Sequence, residues 1–274
     1  MIYFCCDLDN TLIYSYRHDI GEDKVLVETK EGKELSFISA VSLSLLRKVA
    51  EDKTLVPLTT RSLEQYSRID FGSQVPIKYA LAVNGGVLLE DGKVNEEWFR
   101  ESKRMAAYAQ KEMDQGMELL RQDENVCFEI RKVDELFVFT KSNDVPATLE
   151  MLKTNLDLDV VYVDSNGSKV YITPANLNKG SSLKRFREYV GTEHKILAAG
   201  DSDFDIPMLL AADTGYCPED LLKKMQELER EPIEHIVGFP KEMFCEEMLR
   251  SVLKEPQKKV REFYESEKYK HQGF

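Results

Sequence analysis

The sequence predicts an α/β fold: a parallel sheet with helices on its faces and an inserted α+β unit. Three observations predict it. Short apolar runs alternate with amphipathic helical segments at both ends of the 274-residue chain, the rhythm of parallel strands joined by right-handed crossovers. Two of those runs, Tyr3 to Cys6 and Lys195 to Ala199, break off in carboxylate clusters, Asp7 with Asp9 and Asp201 with Asp203 and Asp205. Between Val87 and about Thr173 the texture changes to helix, two strands, helix, two strands, with antiparallel pairing signals.

Taken in order, Tyr3 to Cys6 is a buried strand, and Asp7 and Asp9 emerge where it ends. Lys24 to Thr29 and Glu34 to Ile38, joined by Lys30-Glu31-Gly32-Lys33, form a hairpin placed to overhang that end. Ser39 caps a helix with Val41, Leu45, Leu46 and Val49 on one face. Thr54 to Leu58 is a second buried strand, ending in Thr59-Thr60-Arg61-Ser62. Ser62 and Gln65 have capping-box spacing. Tyr79 to Val83 is a third strand, ending in Asn84-Gly85-Gly86.

In the insert, Asp91-Gly92 marks a hairpin turn and Trp98 to Arg121 is one long helical segment. Val126 to Ile130 pairs with Leu136 to Thr140. Val145 to Asn155 is a helix, and Val160 to Val163 and Val170 to Thr173 flank Asn166-Gly167. The α/β rhythm then resumes: a helix from Gly180 to Tyr189, the strand to Ala199, a helix from Ile206 to Ala212, a short strand at Gly215 to Cys217, and a helix from Glu219 to Glu231. The tail from Pro256 is charged and helical, with Val260, Phe263 and Tyr264 on one side.

In an open α/β sheet, ligands bind beyond the carboxyl ends of the strands. Asp7 and Asp9, one residue apart, repel each other, so leaving both ionised needs a nearby cation or a shared proton, and oxygen-only ligands suit Mg²⁺. The alternative is a strand end followed by an Asp-Asn turn. A second acidic cluster at an equivalent strand end favours the metal, because a buried group of carboxylates is costly without one. Asp203 is read as a helix cap.

A net charge of −12 disfavours non-specific binding to nucleic acid or anionic lipid, so neither is expected as a partner. No membrane-length apolar span or signal-like start is present. Cys5, Cys6, Cys127, Cys217 and Cys245, an odd number without CxxC spacing, read as reduced core residues, and a cytoplasmic location is expected.

Set in order along the chain, Asp7-Leu8-Asp9-Asn10-Thr11, Thr59-Thr60-Arg61, Asn84-Gly85, Lys179-Gly180 and Gly200-Asp201-Ser202-Asp203-Phe204-Asp205 resemble the motifs of the haloacid dehalogenase (HAD) superfamily, in its Cof-like branch of sugar-phosphate-type phosphatases. The resemblance covers nearly the whole chain up to about Cys217. It implies a Rossmann-like core from residues 1–86 and 174–274 and an inserted α+β cap at 87–173. It also implies that Asp7 is a nucleophile forming an aspartyl-phosphate, that Asp9 is the acid and then the base, and that Thr59 and Lys179 steady the phosphoryl group. Mg²⁺ is implied at the Asp7 carboxylate, the Asp9 backbone carbonyl and Asp201, with Asp205 close by, and substrate contacts at Asn10, Thr60, Arg61 and Asn84. Asn84-Gly85 is equally the commonest hairpin-turn dipeptide. Two positions depart from the family: Thr60 stands where Gly is common and Phe204 where Asn is usual.

Specificity is expected from the cap. Glu129, Arg131 and Lys169 lie on its expected strands and can meet polar groups of a ligand, though polar strand residues also face solvent. The function read from the sequence is a Mg²⁺-dependent phosphatase of a small phosphorylated, sugar-phosphate-like metabolite. The alternatives are a phosphotransferase or phosphomutase, and a non-catalytic module that binds a phosphorylated ligand.

Overall fold

The structure is a computed structural model and describes residues 1–229 and 233–256. Val260, Phe263 and Tyr264 of the expected tail helix lie outside the described residues. The chain runs β1 (Ile2–Cys6), then β2 (Tyr14–Ser15), β3 (Lys24–Lys30) and β4 (Lys33–Ser39), then α1 (Ala40–Asp52), β5 (Thr54–Pro57), α2 (Leu63–Tyr66) and β6 (Tyr79–Ala82). The insert follows: β7 (Val87–Glu90), β8 (Lys93–Val94), α3 (Glu96–Ala106), α4 (Gln110–Gln122), β9 (Arg131–Val133), β10 (Phe137–Lys141), α5 (Val145–Asn155), β11 (Val161–Asn166) and β12 (Lys169–Pro174). The chain returns through α6 (Lys179–Val190), β13 (Lys195–Ala199), α7 (Ile206–Ala211), β14 (Thr214–Pro218), α8 (Glu219–Glu229), β15 (Ile236–Phe239) and α9 (Phe244–Lys254).

Five strands form a parallel sheet in the order β15-β14-β13-β1-β5. β1 lies inside the sheet, between β13 and β5, and is buried throughout, which is why it reads as an unbroken apolar run. Its alternate side chains feed two cores. Ile2, Phe4 and Cys6 pack with Leu46 and Val49 of α1 and Met248 and Val252 of α9. Tyr3 and Cys5 pack with Leu183 and Phe186 of α6, Met208 of α7 and Met225 of α8. Because β1 and β13 run parallel in register, Cys6 beside Ala199, both acidic clusters leave the sheet at the same edge. β6 joins that edge through a parallel bridge between Leu58 and Leu81.

The insert builds a second sheet, β11-β12-β10-β9, antiparallel throughout. One face carries Val138, Val161, Val170 and Ile172 against Met113 and Leu120 of α4 and Leu152 of α5. Period-two alternation sends Arg131, Phe139, Lys141, Lys169 and Tyr171 to the opposite face. That face looks toward the parallel sheet, for Phe137 and Tyr171 pack with Ala82, Val83 and Phe204. The hairpin arm (β3 and β4) also stands over the sheet edge, as its Glu28 and Ser36 reach Arg61.

Three expectations are corrected. Trp98 to Arg121 is not one helix: it breaks at Ala107–Ala109, which lets Trp98 pack into the parallel-sheet core while Met113 packs under the cap sheet. The strand expected at Val126 to Ile130 lies instead at Arg131–Val133; the earlier stretch touches Lys141 and Ser142 only through isolated contacts. In α1 the buried face uses Leu43, and Val41 is exposed. The sequence reading also lacks β15 and α9. Four of the five cysteines are buried, Cys127 is exposed, and none is bonded. Among the described residues no helix is long and apolar enough to cross a membrane.

Candidate active site

Asp7 follows β1 directly, its N–H donating to the Ala199 carbonyl at 2.9 Å, so the sheet ladder itself fixes where the carboxylate emerges. Lys179 opens α6, and its Nζ lies 2.7 Å from Asp7 Oδ1 and donates to Asp205 Oδ1 at 2.6 Å. The other Asp205 oxygen accepts from the N–H groups of Asp201 (3.1 Å) and Ser202 (3.0 Å) and from the Ser202 hydroxyl (2.8 Å). Asp201 in turn accepts from the Thr11 hydroxyl at 3.2 Å. Oxygens of Asp7, Asp201 and Asp205 all lie within 4.8 Å of one another.

Glycines allow this convergence. A Cβ on Gly180 would sit 2.4 Å from the Pro207 carbonyl oxygen, and one on Gly200 would sit 2.3 Å from Asp205 Cβ. Larger residues there would force α6 and the Asp201 loop off the site.

One buried ammonium against three carboxylates leaves excess negative charge. Burial pushes the Asp7 carboxyl well above the ordinary range, and Asp205 and Asp201 add to that push against the opposing charge of Lys179. Burial, then Asp205, pushes Asp201 up to about 7. Burial works against the Lys179 charge, but Asp205 and Asp7 outweigh it and keep the ammonium firmly protonated. Three carboxylates short of positive charge, with hard oxygen donors only, fit Mg²⁺.

The Asp9 carboxylate turns elsewhere. Arg61 Nε donates to it at 2.8 Å and Nη2 at 2.7 Å, a bidentate pair. Burial alone would raise the Asp9 carboxyl, but the hydrogen bonds and charge of Arg61 hold it below the usual range. Arg61 also reaches Glu28 of β3 at 2.9 Å, and Glu28, 3 % exposed, accepts from Ser36 (2.6 Å) and pairs with Arg68 (2.9 Å). A bulge between Leu26 and Glu28 lets Val27 and Glu28 both turn inward, so strict alternation gives no sign of Glu28. Glu28 and Arg68 are the residues that sequence reasoning missed.

The other expected residues divide. Thr59 is buried beside the site, its backbone N–H on Leu81 and its carbonyl accepting from Asn84. Thr60, Arg61 and Arg131 line a cavity of about 450 Å³ between core, hairpin and cap sheet, and Asp9 lines it too. Asn10, in a left-handed turn at φ 59°, lines a different cavity beside Asp201 and Tyr14. Asn84 is buried, and its side-chain amide donates to the Leu177 carbonyl at 3.4 Å. It sits in a strained turn in which Val83, Asn84 and Gly85 all have positive φ. A Cβ on Gly85 would meet Ser182 at 2.3 Å. Asn84 and Phe204 line a third cavity, against Tyr162 and Leu228.

Comparison with known proteins places this architecture. The profile of the haloacid dehalogenase-like hydrolases matches residues 76–228. Among solved structures, the sucrose-phosphatase of Synechocystis is 17 % identical, with 92 % of this chain and 97 % of that chain covered and a TM-score of 0.59. A Thermoplasma acidophilum protein is 12 % identical, covering 91 % and 97 %, with a TM-score of 0.58. A phosphatase of the haloalkanoate enzyme superfamily from Bacteroides thetaiotaomicron is 19 % identical, covering 91 % and 94 %, with a TM-score of 0.51. At these identities the likeness is one of fold. No curated protein sequence matches.

Proposed function

The chain belongs to the haloacid dehalogenase-like hydrolases, and from that premise we propose that it is a Mg²⁺-dependent phosphatase acting on a small phosphorylated, sugar-phosphate-like metabolite. The observation that carries the reading is the meeting of Asp7, Asp201 and Asp205 around the buried ammonium of Lys179 at one sheet edge. Such a site attracts a divalent cation and, with it, a phosphoryl dianion.

In this reading the Asp7 carboxylate oxygen attacks phosphorus, and the bond from phosphorus to the leaving oxygen breaks. The phosphoryl group is then held on Asp7 until water displaces it. Lys179 favours the ionised form of Asp7 against the burial that opposes it, and offsets charge on the incoming phosphoryl oxygens. Thr59 hydrogen-bonds those oxygens. Asp9 protonates the leaving oxygen and then takes the proton from water. Its pairing with Arg61 holds the base form ready, and the acid form requires Arg61 to shift toward an incoming anion. Mg²⁺ would be held by Asp7, Asp201, the Asp9 carbonyl and Asp205, and supplies charge neutralisation at the phosphoryl group.

We divide the chain into a core of residues 1–86 and 174–274 and a cap of 87–173, with β7 and Trp98 of the insert seated on the core. Five unpaired cysteines support a reducing compartment, the cytoplasm. The test is a panel of phosphorylated metabolites assayed with Mg²⁺ for the native chain and for Asp7→Asn. The native chain should release phosphate, and the variant should be slower by about 10³-fold or more. Release that persists in the variant removes Asp7 as nucleophile. No release from any member of the panel removes the phosphatase reading.

A further inference from the structure

The cap sheet presents to the Asp9 cavity a cluster of cations that the phosphatase chemistry does not use. Six cationic side chains line this cavity against three acids, Asp9, Glu28 and Glu64, in a chain whose overall charge is −12. Those three acids are already engaged on the core and hairpin side: Asp9 by Arg61, Glu28 by Arg61 and Arg68, Glu64 by Arg68 and Lys30. Arg131, Lys141 and Lys169 of the cap face the cavity without an ion pair to any of the three acids that line it, although the Lys169 charge is felt at Asp9.

Their placement is costly without a counterion. Lys141 and Lys169 are directly opposed across the β10–β12 pair. Opposed residues on one face stand with Cβ atoms about 5 Å apart, and like charges in that position are destabilising. Arg131 pairs with Phe139 on the neighbouring strand, so all three cations share a face. The ring of Phe128 lies under both Arg131 (5.0 Å) and Lys141 (4.9 Å), gathering the two cations at one place. Glu129, outside the cavity lining, pairs with Arg131 at 2.7 Å, which leaves the two lysines without an ion-pair partner among the described residues.

We propose that the substrate carries a second anionic group, a carboxylate or a further phosphate, which Lys141 and Lys169, flanked by Arg131, bind while Asp7 receives the transferred phosphoryl group. This rests on the phosphatase reading above and narrows it from any sugar-phosphate-like metabolite to a doubly anionic one. Phe139 and Tyr171, on the same face and lining the same cavity, supply an apolar wall for the carbon skeleton that links the two anions. A cavity of about 450 Å³ fits a small molecule of that kind.

The test compares matched substrates with Mg²⁺. One arm sets glycerol phosphate against phosphoglycerate, and glucose phosphate against phosphogluconate. The other sets a hexose monophosphate against its bisphosphate, which separates a carboxylate from a phosphate as the second group. p-Nitrophenyl phosphate, which has no second anionic group, reports the phosphatase chemistry alone. In at least one arm the doubly anionic member should have a kcat/KM about tenfold higher or more, with a steeper loss on adding salt. In Lys141→Ala/Lys169→Ala that ratio should fall toward one, and Lys141→Arg/Lys169→Arg should restore it. Turnover of p-nitrophenyl phosphate without preference in either arm, or a preference that the double alanine variant retains, overturns the second-anion site and leaves the phosphatase standing. No phosphate from any substrate overturns the phosphatase reading, and this inference with it.

Discussion

Lys179 Nζ lies between Asp7 Oδ1 at 2.7 Å and Asp205 Oδ1 at 2.6 Å, with 1 % of the lysine exposed. A single ammonium thus ties the end of β1 to the loop after β13, and its removal leaves two buried carboxylates facing each other. Lys179→Met should lower kcat/KM by about 10³-fold and should not be repaired by Lys179→Arg, whose larger planar group has no room in the closed site. Steady-state phosphate release checks both, and a variant within about tenfold of the native chain would show that the lysine is only structural.

The three carboxylates should bind Mg²⁺ in the resting protein. At a hundredfold excess over its dissociation constant, a ligand of the folded state adds about 2.7 kcal/mol. Thermal melts should therefore move up by about 5 °C or more on adding Mg²⁺, and the shift should vanish in Asp201→Asn. An equal shift in that variant would place the cation elsewhere.

Glu28 makes a stability prediction with a definite sign. Burial alone would raise its carboxyl, but Ser36, Arg61 and Arg68 outweigh that and hold it below the ordinary value. Its contribution is therefore present above the unfolded-state value of about 4.3 and is lost as pH falls through the lower folded-state value. Glu28→Gln should cost about 3 kcal/mol at neutral pH, the scale for breaking a buried ion pair. The gap from the native chain should narrow at pH below about 4. Denaturant unfolding across that range tests it, and a gap that stays constant with pH would mean Glu28 is not acting as a charge.

Phe204, where the family commonly has Asn, packs its ring 5.1 Å from Tyr171 and 6.4 Å from Tyr162, both edge-on, and is 7 % exposed. It joins the loop of the acidic cluster to the cap sheet. Phe204→Ala should cost about 3 kcal/mol and should raise KM more than it lowers kcat, because the cap loses its seat while Asp201 and Asp205 keep theirs. An unfolding free energy within about 1 kcal/mol of the native value would show that the seam is not held by this ring.

Much of this molecule was legible one segment at a time. The buried run ahead of Asp7, the cap of α1 at Ser39, the helix over Val145–Asn155 and the Lys179-Gly180 start of α6 follow from local rules of apolar period, capping and glycine placement. The three-way meeting of Asp7, Asp201 and Asp205 was also foreseeable, because parallel strands leave a sheet at one edge. Where local rules failed, a distant partner decided. The helix expected through Arg121 bends because its two halves pack into different cores.

Residue order along the chain settled which chemistry could be assembled: acids at two strand ends, a lysine opening a helix, and glycines where backbones must touch. Tertiary structure alone decided how the charges are shared. Arg61 and Asp9 stand 52 residues apart, and Arg61 bridges Asp9 to Glu28 only because a bulged hairpin folds over the sheet edge. Lys141 and Lys169 oppose each other only because two cap strands pair in one register. Charge pairing depends on distance in space, and spacing along a chain carries no record of it.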